Sequence, residues 1–387
     1  MNPFRAFLIA GMALCCALST EAQTREIIGY YPSWKHQTEK NPLTPAKIPY
    51  SKFTIINYAF FFPRPDGTIA GRDSVGDALI LRGEESLTAL AHNSGVLVLL
   101  SIGGWEDSNN FPQVAAHPAT RAQFAHSCAE RIREFNFDGI DIDWEFPGYA
   151  DHNGSPADRE NFTLLLQTVR DSLDALGRPA GVRFLLTAAL PSDRSRAEGM
   201  DVREIARILD FVNIMTYDFY GPWDTRANHN APLYASEGSD SSRSVHGAFM
   251  LYHEAYGIAA DRINLGVPFY GHTYRDCTAL NALHAGSDTT HFPKEGAFYN
   301  TIADRMKHFT RRWDDRAKVP YLVSKDWKMI VSYDDEESVA WKARYVVEKG
   351  ARGLIIWEVT ADTMPTGDHP LLDAIVAVFQ HSQTRRK

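Results

Sequence analysis

Eight short, almost wholly apolar runs punctuate this chain, and each is followed by a stretch patterned as a helix. They read EIIGYY (26–31), FTIINYAFFF (53–62), GVLVLLSIGG (95–104), DGIDIDW (138–144), VRFLLTAAL (182–190), LDFVNIMTY (209–217), INLGVPFYG (263–271) and GLIIWEV (353–359). Continuous apolar runs suit parallel strands covered on both faces, where an open sheet with one wet face would alternate. Between them, 118–136 puts Phe124, Cys128, Ile132 and Phe135 on one helical face. The segment 155–177 opens at Ser155-Pro156, carries a stripe of Phe162, Leu165, Leu166, Val169 and Leu173, and stops at Gly177. Eight strand–helix alternations predict an α/β fold, a (β/α)8 TIM barrel. A doubly wound sheet is the alternative, but no Gly-rich dinucleotide turn follows the first run.

The spacing breaks once. Ile263 and Gly353 stand 90 residues apart, roughly double the other steps. Long structureless loops are uncommon in compact domains, so 272–331 is predicted to be a small α+β insertion subdomain between the seventh and eighth strands. It would wall the end of the barrel where active sites lie. Residues 23–271 and 332–380 then form the barrel, and 381–387 a frayed tail. A hydrophobic content of 44% suffices for a large core.

The N-terminal MNPFRAFLIAGMALCCALSTEAQ has one Arg, an apolar run from Ala6 to Leu18 and a small-residue site at Ala22. Residues 1–22 read as a secretory signal peptide, which places the mature protein outside the cell or in the periplasm. The run is short for a membrane span, and no second one follows. Cys15 and Cys16 would leave with the signal; lipid attachment there is the alternative. Cys128 and Cys277 remain, as buried free thiols or as a pair. The formal net charge of −8 argues against a nucleic-acid partner. No paired Cys/His spacing points to a structural zinc site.

The fourth run, DGIDIDWE, writes acids into an apolar strand. Strand side chains alternate faces, so Asp141, Asp143 and Glu145 share one parity and Ile140, Ile142 and Trp144 the other. The apolar set belongs against the helices, which sends the acids into the barrel lumen with Glu145 outermost. Asp138 has the opposite parity and is expected to bond backbone. Three stacked carboxylates cannot all ionise cheaply; repulsion and desolvation raise their pKa values, as a proton donor near neutral pH requires. A metal cluster, or acids paired with buried Arg, is the competing reading.

These residues resemble a known family. DGIDIDWE matches the DxxDxDxE signature of the family 18 glycoside hydrolases, the chitinases. SIGGW (101–105) resembles the family's SxGG motif, MTYDF (215–219) its MxYD motif, and GYYPSW, NYAF, GVPFYG, VSYDDEES and IIWE follow in family order. The resemblance implies retaining hydrolysis of β-1,4-linked N-acetylglucosamine polymers without metal or cofactor, on a barrel with an insertion after the seventh strand. The nucleophile would be the substrate's own acetamide oxygen, forming an oxazolinium ion. Glu145 would be the acid and then the base. Asp143 would orient the acetamide, sharing a proton with Asp141, and Tyr217 would donate to its oxygen. Met215 and Asp218 would line that pocket, with Met215 alternatively a core residue. Ser101, Gly103 and Gly104 would allow close backbone approach beneath the acids; no GK[ST] follows to make GG a phosphate loop.

Sugars present flat C–H faces to aromatic rings. Trp357 resembles the family's Trp beneath the reacting sugar, and Tyr30, Trp34, Phe60, Trp105 and Trp223 also sit at or beyond strand ends. The family often has Arg after YG on the seventh strand; here it is His272, with Arg275 three residues on as a substitute. The expected partner is chitin or another N-acetylglucosamine-containing glycan, and the expected state a monomer. Competing functions are a non-catalytic chitin-binding relative, an endo-β-N-acetylglucosaminidase on N-glycans or peptidoglycan, and a metal-dependent hydrolase. NGS at 153 and NFT at 161 match glycosylation sequons.

Overall fold

The computed structural model describes residues 25–35, 43–293 and 296–384; residues 1–22, expected as a signal peptide, lie outside them with Cys15 and Cys16. All eight apolar runs are strands. In chain order they are Glu26–Pro32, Ile55–Pro63, Leu97–Gly103, Gly139–Asp143, Leu185–Pro191, Phe211–Met215, Ile263–Pro268 and Gly353–Trp357. Each pairs in parallel with its neighbours, and the first pairs with both the second and the eighth, which closes the barrel. A three-residue strand, Ile69–Gly71, adds antiparallel to the second barrel strand.

The apolar parity of each strand faces outward. Ile140, Ile142 and Trp144 belong to the large core between strands and helices, together with Phe124, Ile132, Phe162 and Leu166 from the helices Pro118–Phe135 and Asp158–Gly177. Fully burying one such side chain stabilises the fold by about 1.5–3 kcal/mol. The first of these helices stops at Asn136 in the left-handed conformation (φ 58°). The second starts three residues later than the Ser155-Pro156 signal predicts. Asp158 instead turns its carboxylate back to accept from the amides of Gly148 and Ser155.

The lumen has a separate apolar floor of Ile28, Ile55, Leu99, Phe211 and Ile355. Above it come polar side chains: Asn57, Ser101, Asp141, Thr187, Asn213 and Asn264, all fully buried. Between the seventh and eighth barrel strands a second, five-stranded antiparallel sheet forms from Tyr270–Arg275, Ala297–Phe298, Phe309–Asp314, Val319–Ser324 and Met329–Ser332, with the helix Tyr299–Arg305. This is the α+β insertion, its sheet reaching from Tyr270 to Ser332. The last helix, Pro370–Thr384, continues through residues 381–384, so these are not a frayed tail; 385–387 lie outside the described residues. Cys128 and Cys277 are buried free thiols. Among the described residues no helix is long and apolar enough to cross a membrane.

Candidate active site

Register places the acids. Ser101 stands beside Asp141 and Gly103 beside Asp143, while Thr187 lies on the other side of Asp141. Asp141 is fully buried and accepts four hydrogen bonds. Tyr30 (2.9 Å) and Ser101 (2.8 Å) donate to Oδ2, and Thr187 (2.5 Å) and Asn213 (3.2 Å) to Oδ1. Burial raises its pKa, and the four donors pull it back.

Asp143, one layer up, is the opposite case. Its Oδ1 is buried with no hydrogen-bond partner among the described residues. Burial, then the charges of Glu145 and Asp141, hold its pKa well above the carboxylate range. The acceptor positions of Asp141 are filled by these four donors, while Asp143 keeps one open. Asp141 raises the Asp143 pKa as a neighbouring carboxylate does, and the larger charge effect on Asp143 is that of Glu145.

Glu145 lies just past the strand end at the mouth. Burial and the Asp218 carboxylate push its pKa up to about 8, against the opposing Arg196 charge. Its backbone is held on both sides: the amide donates to Ser108 Oγ (2.8 Å), and the carbonyl accepts from His152 Nδ1 (2.5 Å). Peptide bonds 59–60, 145–146 and 357–358, all at the rim, are cis. Gly103 has φ 119°, and a Cβ there would stand 2.0 Å from the Asp143 carbonyl oxygen. A Cβ on Gly104 would stand 2.6 Å from the Phe60 ring. Gly103 thus lets the third and fourth strands meet, and Gly104 makes room for the Phe60 ring of the second strand.

Tyr217, after the sixth strand, has its phenol pKa raised by burial and by the charges of Asp143, Glu145, Asp218 and Asp141, so it remains a proton donor. Met215 is buried with Phe146 and Ala189 and packs against Tyr217, as core and pocket wall at once. Asp218, at φ 57°, accepts from Tyr270 (2.7 Å) and His272 Nε2 (2.8 Å). His272 thus engages Asp218. Arg275 does not substitute for the missing Arg: its guanidinium bonds the Ala285 carbonyl. Asp138 ties the third strand to the fourth by accepting from the Val98 amide (2.7 Å) and contacting His92 (2.8 Å).

The aromatic residues divide. Phe60, Trp34 and Trp357 form a three-ring cluster, with Phe60 stacked on each at 6.0 and 5.6 Å and the two tryptophans 6.3 Å apart. Trp34 and Trp105 are 44% and 45% exposed and available to a ligand. Tyr30 is not: it is 1% exposed, beneath Trp357, with its hydroxyl on Asp141. The expectation that Tyr30 contacts sugar is corrected to a support for the carboxylate, because the first strand runs on to Pro32 and Tyr30 sits below the rim. Trp223 is 64% exposed and, with Trp34, Trp357, Asp218 and the insertion's Phe298 and Arg305, lines an open cleft of about 1190 Å³. Sequence reading missed Thr187, Asn213, Ser108, His152 and Tyr270, which act through partners on other strands or loops. Among the described residues no group of three or more His, Cys, Asp and Glu could hold a metal ion.

A (β/α)8 barrel with a graded column of buried carboxylates, beside an aromatic cleft that Asp218 and Trp357 line, suits a hydrolase of glycosidic bonds. A family model for glycosyl hydrolases family 18 matches residues 26–362. Chitinase A1 of Niallia circulans is 34% identical over 93% of this chain, which spans 60% of that protein's length. Chitotriosidase-1 of Mus musculus is 30% identical, over 90% of this chain and 76% of that one. Among solved structures, a family 18 N-acetylglucosaminidase from Paenibacillus barengoltzii aligns with a TM-score of 0.78 at 33% identity, covering 92% of this chain and 99% of that one. The Group IV chitinase of Ostrinia furnacalis aligns with a TM-score of 0.83 at 29% identity, covering 92% of this chain and all of that one. The chain belongs to glycosyl hydrolases family 18 and is a glycoside hydrolase.

Proposed function

We propose that this chain hydrolyses chitin and chito-oligosaccharides with retention of configuration, using the substrate's acetamide as nucleophile. The observation that carries the reading is the difference between the three acids: Asp141 saturated, Asp143 with an unpartnered buried oxygen, Glu145 with a pKa of about 8. A carboxyl that keeps its proton at neutral pH suits donation to a glycosidic oxygen. The unpartnered Asp143 Oδ1 suits an acetamide N–H, and Asp143, once ionised beside the acetamide, would balance the positive charge developing on the oxazolinium ring. The Tyr217 hydroxyl would hold the acetamide oxygen toward the anomeric carbon, with Trp357 beneath the sugar. Glu145, ionised by the first step, would then take the proton of the water that opens the ring. No second carboxylate is needed as a nucleophile, unlike most retaining glycosidases.

Relatives named as chitinases and chitotriosidases support the glycan, and the apolar N-terminal run supports export. The direct test is Glu145→Gln. It is expected to lower kcat on chitohexaose at least roughly a hundredfold while oligosaccharide binding persists. A thiazoline analogue of the oxazolinium is expected to inhibit competitively. A well-folded wild-type protein that binds chito-oligomers without cleaving them would place it among the non-catalytic relatives.

A further inference from the structure

We propose that His152 is a positioning residue for the acid, joining the backbone of Glu145 to the aromatic platform of Trp105; this rests on Glu145 acting as proton donor. His152 ends the short helix Ala150–His152 in the loop after the fourth barrel strand. Its Nδ1 stands 2.5 Å from the Glu145 carbonyl oxygen. A carbonyl only accepts, so Nδ1 carries the proton and donates, in the neutral tautomer and in the imidazolium alike. The same ring packs edge-on against Trp105 (4.6 Å between centroids, 63° between planes) and against Tyr149 (5.3 Å, 83°).

The other side of Glu145 leads to the same tryptophan. Ser108 Oγ accepts from the Glu145 amide and donates to the Gly104 carbonyl (2.9 Å). Ser108 belongs to the one helix, Trp105–Asn110, that Trp105 begins. Asn153, next to His152, closes the loop by donating to the Asn109 carbonyl (3.2 Å). Both peptide groups flanking the acid therefore rest on the element that carries Trp105. Trp34, Phe60 and Trp357 form their own cluster, while Trp105 packs on Tyr149 and His152. It packs on the acid's own loop and is 45% exposed, free to seat a sugar next to the bond that Glu145 protonates. A sugar seated on Trp105 and the carboxyl that must protonate its oxygen then share one rigid support. A misplaced proton donor loses rate steeply with small displacements, so this support acts on kcat for substrates that need the proton.

Two variants separate the ring from its donor. His152→Phe keeps an aromatic ring beside Trp105 and removes the hydrogen bond. His152→Asn keeps an amide donor near the Nδ1 position and removes the ring. Each is assayed on chitohexaose, whose sugar leaving group needs protonation, and on 4-nitrophenyl chitobioside, whose phenolate leaves with little help. H152F is expected to lose roughly tenfold in kcat on chitohexaose and less than about threefold on the aryl substrate. H152N is expected to keep kcat within about threefold while KM for chitohexaose rises, as Trp105 loses its edge support. H152F that matches wild type, or loses equally on both substrates, overturns the proposal. So does H152N losing kcat as H152F does, and so does loss of a cooperative melt in both variants, since the ring is then only structural. Wild-type protein inert on both substrates fails the hydrolase reading itself, a result distinct from any of these.

Discussion

Glu145 sets the pH behaviour at the scale of single residues. With its pKa at about 8, the descending limb of kcat/KM on chito-oligomers is expected near pH 8. After burial, the largest upward push comes from Asp218, which His272 and Tyr270 hold in place. Asp218→Asn removes that like charge, so ionised Glu145 becomes easier to form and the limb moves to lower pH, by roughly half a unit or more. A limb that stays put or moves up refutes the assignment. Stability gives the same sign by another route. Between the ordinary value of 4.5 and about 8 the folded protein holds a proton on Glu145 that the unfolded chain releases. This group's contribution is most favourable below that ordinary value and declines as pH rises through 8. E145Q is therefore expected to gain melting temperature over wild type at pH 9 relative to pH 5. The parity of Asp141, Asp143 and Glu145 was legible because strand alternation is local. The donors to Asp141 were not, because Tyr30, Thr187 and Asn213 lie 111, 46 and 72 residues away in sequence.

Two elements, the third and fourth barrel strands, hold the acids at their working height. Asp138 fastens their lower ends, and Gly103 allows their upper ends to touch. The two positions predict different losses. Asp138→Ala leaves the Val98 amide without its acceptor and is expected to cost about 1–3 kcal/mol in urea unfolding, with kcat per folded molecule unchanged. Gly103→Ala forces a side chain into a left-handed backbone against the Asp143 carbonyl. It is expected to cost about 1–3 kcal/mol as well, but with kcat reduced at least roughly tenfold, because relief of the clash shifts Asp143 and Glu145. An Asp138→Ala protein with a kcat defect as large as that of Gly103→Ala would show that the lower fastening also sets the acid's position. At this scale the sequence was a good guide: near-continuous apolar runs mark buried strands wherever they exceed about five residues. The three-residue strand Ile69–Gly71 carries no such run and went unseen. The start of the helix Asp158–Gly177 was displaced because Asp158 spends its carboxylate on the preceding loop.

In the whole molecule, the insertion and the barrel share the cleft. Tyr270 reaches Asp218, and Asn230 bridges Ser332 and Tyr270 by its amide (2.6 Å) and side chain (3.2 Å). Asn300 donates to the Ala361 carbonyl beyond the eighth strand (2.9 Å). The spacing of the apolar runs announced an insertion, but not these stitches, which depend on side chains from loops of no regular pattern. The most buried stitch lies where the chain leaves the insertion. Asp334, just past the last insertion strand, meets Lys342 of the helix Glu336–Lys349 at 2.6 and 2.7 Å, and both side chains are 1% exposed. Burial raises the Asp334 pKa and lowers that of Lys342, each against the partner's charge, so desolvation is the larger effect on both. Such a pair adds little over a well-packed apolar pair, but a broken one leaves a charge stranded. Lys342→Met is accordingly expected to cost about 3–5 kcal/mol at pH 9, where only Ser338 still donates to the Asp334 carboxylate. The deficit shrinks toward pH 5, as the folded variant takes up a proton on Asp334 that its unfolded chain releases. Adding Asp334→Leu removes the stranded charge and is expected to recover most of the loss. Urea unfolding of the three proteins at both pH values decides it. A Lys342→Met variant with a pH-independent deficit, or one not rescued by the second substitution, would mean that the lost lysine packing and not the stranded carboxylate holds the insertion's exit to the barrel.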